Sequence, residues 1–258
     1  MNRIGKIFKQ GPAFVGYITA GHRGLDYSIE AALALIEGGV NILEVGVPFS
    51  DPIADGPVIQ NASNHSLRIG INIFDVLELI KKIRCRTETP IVLFSYFNPI
   101  LQVDKKGIYR LAKECGVDGI LVVDLPLEES ELHIKKCKDN SIAPIFIIAP
   151  STKTERIKLI DNSGRGFLYY ACRSGTTGMR HFLPSGFARK MKNIKKETHL
   201  PVVAGFGIST KEDAEEVIKH ADGFVVGSFF VNAIENGAAP EELKELAKKI
   251  DPRLQTID

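Results

Sequence analysis

Eight short apolar runs recur along the 258-residue chain and limit its possible folds more than any other feature. Each is rich in β-branched or aromatic residues and is bounded by Gly, Pro, Asn or Asp, which is typical of a β-strand. The runs are nearly continuous rather than alternating, as expected for strands that are covered on both faces. They are "AFVGYIT" from residue 13, "NILEVGV" from 41, "IVLFSY" from 91, "GILVVDL" from 119, "PIFIIA" from 144, "FLYYA" from 167, "PVVAGFG" from 201 and "GFVVGS" from 223.

Segments with a helical period lie between these runs. "DYSIEAALALIEGG" ends on a glycine stop signal, and "NIFDVLELIKKIR" places its apolar residues on one face. "STKTERIKLIDNSG" is predicted to open on a Ser or Thr cap, and "STKEDAEEVIKHAD" on Ser209 with Glu212 three residues later. Strands that alternate with helices predict βαβ crossovers and a parallel sheet.

Eight such units in about 250 residues predict a closed (β/α)8 barrel, the TIM barrel of the α/β class. The alternative is an open doubly wound sheet, but the G-x-G-x-x-G motif that would support it is not seen after the first run. The sequence shows no linker and no sharp shift in composition. We therefore predict that residues 1–258 form a single barrel domain.

Composition and charge exclude several classes of function. The formal charge of +2 is too small for a nucleic-acid or membrane surface, and the 33 basic residues are scattered. No apolar run approaches the length of a membrane span and the N-terminus carries no signal sequence, so we expect a cytoplasmic protein. The four cysteines and six histidines are dispersed without metal-ligand spacing, so no metal is expected.

Two carboxylates mark the second predicted strand and the loop after it. Glu44 lies inside the apolar run, and Asp55 lies in the Pro- and Gly-rich stretch 48–60. A buried carboxylate must be paired, protonated or functional, because desolvating its charged form is costly. Burial raises its pKa toward neutrality, which suits a group that gives and takes a proton. A structural ion pair inside the barrel is the alternative reading of Glu44.

Three further polar residues lie at predicted strand ends, where barrels of this kind place their active sites. They are Tyr96, Asp124 and Tyr169. Asp124 could instead organise a turn, and Tyr169 could be a core residue with a satisfied hydroxyl. The residues alone leave both readings open.

Glycines follow the last three predicted strands, in "RSGTTG" at 173–178, "GFGIST" at 205–210 and the pair Gly227 and Ser228. Barrels that bind phosphate use the loops after strands 7 and 8, where glycines let backbone N–H groups approach the anion. Tight βα turns would also explain these glycines. Together with the carboxylates, they favour acid–base chemistry on a small phosphorylated substrate. No lysine lies within a predicted strand, which argues against Schiff-base chemistry.

Several long motifs resemble one family. "LEVGVPFSDPIADGPVIQ", "SYFNPIL", "LVVDLPLEES", "IAPSTKTERIKLI", "YYACRSGTTG" and "GFGIST" are together similar to the tryptophan synthase α chain, and the resemblance covers nearly the whole sequence. It implies a lyase of L-tryptophan biosynthesis that splits indole-3-glycerol phosphate into indole and glyceraldehyde 3-phosphate. The reaction is a retro-aldol cleavage, and the resemblance implies that this chain carries no cofactor.

The same resemblance implies roles for individual residues. Glu44 would carry the proton and Asp55 would stabilise positive charge on the indole nitrogen. Tyr17, where the family pattern leads us to expect phenylalanine, would lie against the indole. The remaining substrate-binding residues would be Tyr96, Tyr169, Thr177, Gly178, Gly207, Gly227 and Ser228. Thr177 would reach Asp55 from a mobile lid at 173–184 that includes Arg173 and Gly175, and the loop at 48–60 is also predicted to be mobile.

A partner is implied as well, a pyridoxal-phosphate (PLP) dependent β chain that receives indole through a tunnel in an α2β2 heterotetramer. The apolar, Pro-rich stretches "PFSDP" and "YFNPIL" would suit contacts with it. Asp51 is a candidate for an ion pair across that interface, although an Asx turn before Pro52 explains it equally well.

Two other functions compete with this reading. A catalytically weak α chain could survive mainly as an activator of its β subunit, keeping the barrel while losing efficient cleavage. Another phosphosugar enzyme, such as an isomerase, would show similar glycine loops. An isomerase would not explain an aromatic residue at Tyr17 with an aspartate opposite it.

Overall fold

A computed structural model of the chain describes residues 3–172, 183–205 and 207–254. In these ranges eight parallel strands form a closed barrel in chain order, and the last strand pairs with the first. The strands are β1 (Ala13–Thr19), β2 (Ile42–Gly46), β3 (Ile91–Ser95), β4 (Gly119–Val122), β5 (Ala143–Ile148), β6 (Leu168–Ala171), β7 (Val202–Gly205) and β8 (Gly223–Val226). Seven of the predicted apolar runs each contain one strand, and β5 begins one residue before its run. The predicted (β/α)8 barrel is confirmed.

Twelve α-helices lie in the described ranges, and they surround or cap the barrel. They are α1 (Arg3–Gln10), α2 (Leu25–Glu37), α3 (Pro57–Arg68), α4 (Ile73–Arg84), α5 (Phe97–Val103), α6 (Ile108–Glu114), α7 (Glu131–Asp139), α8 (Thr154–Ser163), α9 (Phe187–Lys195), α10 (Lys211–Ile218), α11 (Ser228–Glu235) and α12 (Pro240–Ile250). Of the helices described, none combines the length and the apolar character that crossing a membrane requires.

Three local predictions are wrong. Pro57 begins α3, so the last four residues of the predicted loop 48–60 are helical, because proline at the first helical position has its φ already set. The cap of α10 is Thr210 rather than Ser209, since the Thr210 hydroxyl accepts the Asp213 N–H at 3.2 Å. No side chain caps α8. The hydroxyl of Thr152, just before it, instead accepts the Ala149 N–H.

The barrel has an inner and an outer apolar layer. Alternate strand residues such as Val15, Val92 and Val203 fill the interior, while their neighbours pack against the helices. Ile4 of α1 belongs to the interior layer. Arg3 of the same helix bonds Asp118, the residue before β4, so α1 closes the N-terminal end of the barrel. The opposite end, at the C-termini of the strands, is therefore the one left for a site.

Candidate active site

Glu44 lies in the middle of β2, between Tyr17 of β1 and Val92 of β3 in the strand register. Its side chain is 1% exposed. Its Oε1 atom is buried and has no hydrogen-bond partner among the residues that the structure describes. Burial raises the pKa of this carboxyl to about 8. Glu44 is therefore a neutral carboxylic acid at pH 7, able to donate a proton and to take it back.

Asp55 lies in the loop between β2 and α3 and is 5% exposed. Its backbone is held by a turn, with the Asp55 N–H donating to the Pro52 carbonyl at 3.0 Å, and Gln60 Nε2 donates to the Asp55 carbonyl at 2.9 Å. The Tyr96 hydroxyl donates to Asp55 Oδ2 at 3.1 Å. Burial raises the pKa of Asp55 to about 6, and the Tyr96 hydrogen bond opposes that rise.

The two carboxyl groups therefore differ in acidity. Near pH 7 Asp55 is ionised while Glu44 keeps its proton. Environments that separate the pKa values of two acids assign them different tasks, one as proton donor and the other as a fixed negative charge. This pair can protonate a carbon and stabilise the cation that results.

Three aromatic side chains surround the carboxylates. Tyr17 is buried on β1, Tyr169 is half-buried on β6, and Phe94 of β3 meets the Tyr17 ring edge-on at 5.2 Å. Burial raises the pKa of both tyrosines well above the ordinary value, and the Asp55 charge adds to the rise at Tyr17. Both hydroxyls therefore stay neutral. The alternation of β3 points Phe94 into the barrel like Val92, and that signal could have identified it from sequence.

Two glycines whose packing role the sequence did not reveal make room for these tyrosines. A Cβ added at Gly205 of β7 would lie 2.4 Å from the Tyr169 phenolic oxygen, and Gly46 of β2 stands in the same relation to Tyr17. Non-bonded atoms do not approach this closely, so each tyrosine requires a glycine at the facing position of the next strand.

Three of the predicted phosphate-binding residues, Gly207, Gly227 and Ser228, follow the ends of β7 and β8. Gly207 has a φ of 64°, in the left-handed region that favours glycine. Gly227 precedes α11, and Ser228 is its buried first residue. The first N–H groups of a helix have no partner within the helix, so this end of α11 is suited to an anion. Ser209 was predicted only as a cap; its buried hydroxyl has no partner within the described ranges.

The four predicted residues Arg173, Gly175, Thr177 and Gly178 lie outside the described residues. Within the described part of the chain, no three His, Cys, Asp or Glu side chains come together in a way that would hold a metal ion.

Two aspartates at strand ends have structural partners. Asp124, after β4, accepts the Phe97 N–H at the start of α5 at 2.7 Å, as expected of a residue that organises a turn. Asp51 is exposed, and its carboxylate accepts the Ser50 hydroxyl at 2.5 Å. Its predicted ion pair with a partner stays a prediction.

Comparison with known proteins shows the family. The family model of the tryptophan synthase alpha chain matches residues 6–256. The tryptophan synthase alpha chain of Coxiella burnetii is 54% identical over 252 residues, which are 98% of each chain. That of Chlamydia felis is 44% identical over 257 residues, covering 98% of this chain and 100% of the relative.

Solved structures agree. Tryptophan synthase of Mycobacterium tuberculosis superposes with a TM-score of 0.90 at 30% identity, over 96% of each chain. The tryptophan synthase alpha subunit of Legionella pneumophila gives 0.88 at 33% identity, over 97% of each. Sequence and structure therefore agree along nearly the whole length, and the chain belongs to the tryptophan synthase alpha chain family.

Proposed function

We propose that this chain is a carbon–carbon lyase that cleaves indole-3-glycerol phosphate to indole and glyceraldehyde 3-phosphate, with Glu44 as its proton carrier. The observation that carries the proposal is the state of Glu44, a buried carboxyl whose Oε1 has no partner among the described residues and whose pKa is raised to about 8. Buried carboxyls with a pKa raised this far cluster at functional sites, where an acid that is protonated at neutral pH can take part in proton transfer. Its position in the middle of β2, with Asp55 in the loop that follows the C-terminal end of the same strand, fits that use.

Cleavage needs one proton donated and one removed. Glu44 first donates its proton to C3 of the indole ring, which turns that carbon into a leaving group and places positive charge on the ring nitrogen. The bond from C3 to the first glycerol carbon then breaks, and its electron pair returns to the ring. The hydroxyl on that glycerol carbon becomes an aldehyde and gives its proton to the Glu44 carboxylate, so the enzyme returns to its starting state.

Asp55 supplies the fixed charge in this scheme. Its carboxylate, ionised near neutral pH, stabilises the positive charge that develops on the indole nitrogen. Tyr17, Phe94 and Tyr169 form the aromatic and apolar surroundings that an indole ring requires, and they exclude water from the two carboxyls.

The phosphate group would bind at the far side of the barrel mouth. The N-terminus of α11 offers unpaired N–H groups, with Gly227 and Ser228 at its start and Gly207 on the neighbouring strand end. From the lid at 173–184, which includes Arg173 and Gly175, Gly178 would join this site and Thr177 would reach Asp55; these roles follow from the family resemblance alone.

Release of indole from indole-3-glycerol phosphate tests the proposal. Wild type should release indole, and Glu44→Gln should lose this activity while still binding the phosphorylated ligand, because only the transferable proton is removed. Glu215→Gln on the exposed face of α10 is the matched control and should keep full activity. A wild-type protein that releases no indole, alone or with a β chain, yet raises the activity of that β chain would instead support the weak activator.

A partner surface is part of the proposal. Ile53, Leu101 and Leu132 are 79%, 53% and 60% exposed, and they follow β2, β3 and β4, three strands that are neighbours in the barrel. Large exposed apolar side chains that lie close together mark protein interaction sites. We infer that a PLP-dependent β chain binds here to form an α2β2 assembly and receives the indole, with Asp51 at the edge of the contact.

A further inference from the structure

The side chain of Tyr96 contacts the loop between β2 and α3 at three points. Its ring stacks on Phe49 with centroids 4.9 Å apart. Its hydroxyl accepts the Ala54 N–H at 3.0 Å and donates to Asp55 Oδ2 at 3.1 Å. Because Tyr96 is only 2% exposed, these contacts lie in the protein interior. A single buried side chain therefore fixes the loop both at its start and next to Asp55.

The direction of these hydrogen bonds follows from the atoms involved. A backbone N–H can only donate, so the Tyr96 oxygen must accept from Ala54. The one phenolic proton is then left for the Asp55 carboxylate. A hydrogen bond to an ionised carboxylate is stronger than a neutral one, which favours the charged form of Asp55 against its burial.

The backbone of Tyr96 is itself fixed from both sides. The buried Ser95 hydroxyl donates to the Tyr96 carbonyl at 2.7 Å. The next residue, Phe97, donates its N–H to Asp124 at 2.7 Å, which ties this corner to the end of β4. Support of this kind, from strand ends through a second side chain, holds a catalytic group in a defined orientation.

We propose that Tyr96 is a positioning residue, which orients Asp55 and keeps it ionised for the reaction proposed above. The Tyr96 hydroxyl donates its only proton to Asp55 and accepts the Ala54 N–H, so both hydrogen bonds are made to the protein itself. Tyr96 therefore acts through Asp55, whereas the sequence predicted it as a residue that binds substrate. Asp124 gains a role in the same chain of contacts, since it fixes the corner on which Tyr96 stands. This inference rests on the proposed function.

The test compares Tyr96→Phe with Tyr109→Phe. Both remove one buried phenolic hydroxyl, and that of Tyr109 bonds His133 at 2.9 Å, away from the carboxylates. Tyr96→Phe keeps the ring on Phe49, so the fold should be retained. We expect its kcat to fall by about 10- to 100-fold with KM little changed, the range expected for loss of a hydrogen bond to a charged group. The acidic limb of its pH profile should move to higher pH, because the pKa of Asp55 rises when the hydrogen bond is lost.

In the described structure, the Asp55 charge raises the pKa of three groups, which are Tyr17, Tyr96 and Tyr169. None of the three titrates near the acidic limb, so a shift there reports Asp55. Tyr109→Phe should leave the limb in place. An unmoved limb in Tyr96→Phe, with a kcat equal to that of Tyr109→Phe, would overturn the positioning role.

A double-mutant cycle gives a second, independent reading. If Tyr96 acts through Asp55, the change Tyr96→Phe should cost almost nothing more once Asp55→Asn is present. An equal loss in both backgrounds would show that Tyr96 acts independently and would overturn the inference. Failure of the proposed function looks different, because wild type itself would then release no indole.

Discussion

The phenolic oxygen of Tyr17 lies against Gly46 of the neighbouring strand, so that a Cβ added at Gly46 would stand 2.1 Å from it. The same oxygen is 3.3 Å from the hydroxyl of Thr19, the residue that pairs with Gly46 in the strand register. Phe94 packs edge-on against the Tyr17 ring. The ring is therefore confined, and the glycine on β2 is required by this side chain of β1.

Gly46→Ala should destabilise the protein, because the added methyl group meets a ring that cannot move away. We expect the free energy of unfolding to fall by about 1–3 kcal/mol, as for other overpacked cores. Urea denaturation measures it. The effect should be smaller in a Tyr17→Leu background, where the end of the ring is absent. A Gly46→Ala protein as stable as wild type would show that the Tyr17 ring can move to make room for the methyl group.

A second prediction concerns Asp118, a buried carboxylate at the N-terminal end of the barrel. It accepts hydrogen bonds from Arg84 at 2.7 Å, Arg3 at 3.1 Å and the Ile91 N–H at 3.0 Å. Removing it leaves the half-buried Arg84 with backbone carbonyl acceptors alone and takes the acceptor from the buried Ile91 N–H. Breaking a buried ion pair of this kind costs about 3–5 kcal/mol. Asp118→Ala should therefore lose stability on that scale, while the folded fraction keeps a wild-type kcat for indole release. A large loss of kcat would contradict a purely structural role.

A third prediction concerns Glu44, whose contribution to stability should depend on pH. Its folded pKa of about 8 lies above the ordinary value of 4.5, so the folded protein binds the proton more tightly than the unfolded chain does. Stability from this group is therefore fully present below pH 4.5 and is lost as the pH rises toward 8. Between about pH 5 and pH 8 the loss amounts to about 3 kcal/mol.

Glu44→Gln removes this titration. Its free energy of unfolding, relative to wild type, should therefore rise as the pH is raised over that range, whatever constant cost the buried amide brings. Chemical denaturation at several pH values measures the difference in free energy of unfolding between the variant and wild type. Glu215→Gln, at an exposed position of α10, is the control. A difference that does not change with pH would mean that Glu44 is already ionised in the folded protein.

The activity of wild type should also have a defined pH dependence. Cleavage as proposed needs Asp55 ionised and Glu44 protonated at the start. The profile of kcat/KM should therefore rise with a pKa of about 6 and fall with a pKa of about 8. Asp55→Asn should remove the acidic limb from its residual activity. An activity that keeps increasing above pH 9 would indicate that Glu44 starts as a base.

The fold could be predicted from the sequence because each strand is a continuous apolar run between turn residues. Glu44 stood out for the same reason, as a charge inside such a run. Helix α3 gave a much weaker signal, since "PVIQNASNHSLR" is polar for most of its length and begins at a proline that suggests a loop. The cap of α10 was misplaced because Ser209 and Thr210 are adjacent and each is followed three residues later by an acid.

Contacts between elements left no trace in the sequence. Tyr96 and Asp55 are 41 residues apart, and nothing in either motif says that one hydrogen bond joins them. Gly46 looked like an ordinary strand residue and Gly205 like part of a phosphate-binding loop, because the steric reason for each lies on another strand. The family resemblance supplied roles for single residues, whereas the direction of a hydrogen bond or a steric requirement had to come from the packed structure.

The final prediction concerns the proposed partner surface. Ile53→Glu or Leu101→Glu places a charge where a β chain would bury apolar area, and affinity should fall at least about tenfold if either residue is central to the contact. Leu159→Glu is the matched control, since Leu159 is 57% exposed but lies on α8, away from the three residues of this surface. Calorimetry should measure the affinity of each of the three variants and of wild type for the β chain of the same organism.

Indole release by each variant without partner should stay near the wild-type rate, because neither Ile53 nor Leu101 contacts the carboxylates in the proposed scheme. This separates loss of docking from damage to the site. If Leu159→Glu weakened binding as much as the other two, the β chain would have to contact a different face of the barrel. Unchanged binding in all three variants would remove the surface formed by Ile53, Leu101 and Leu132 from the proposal.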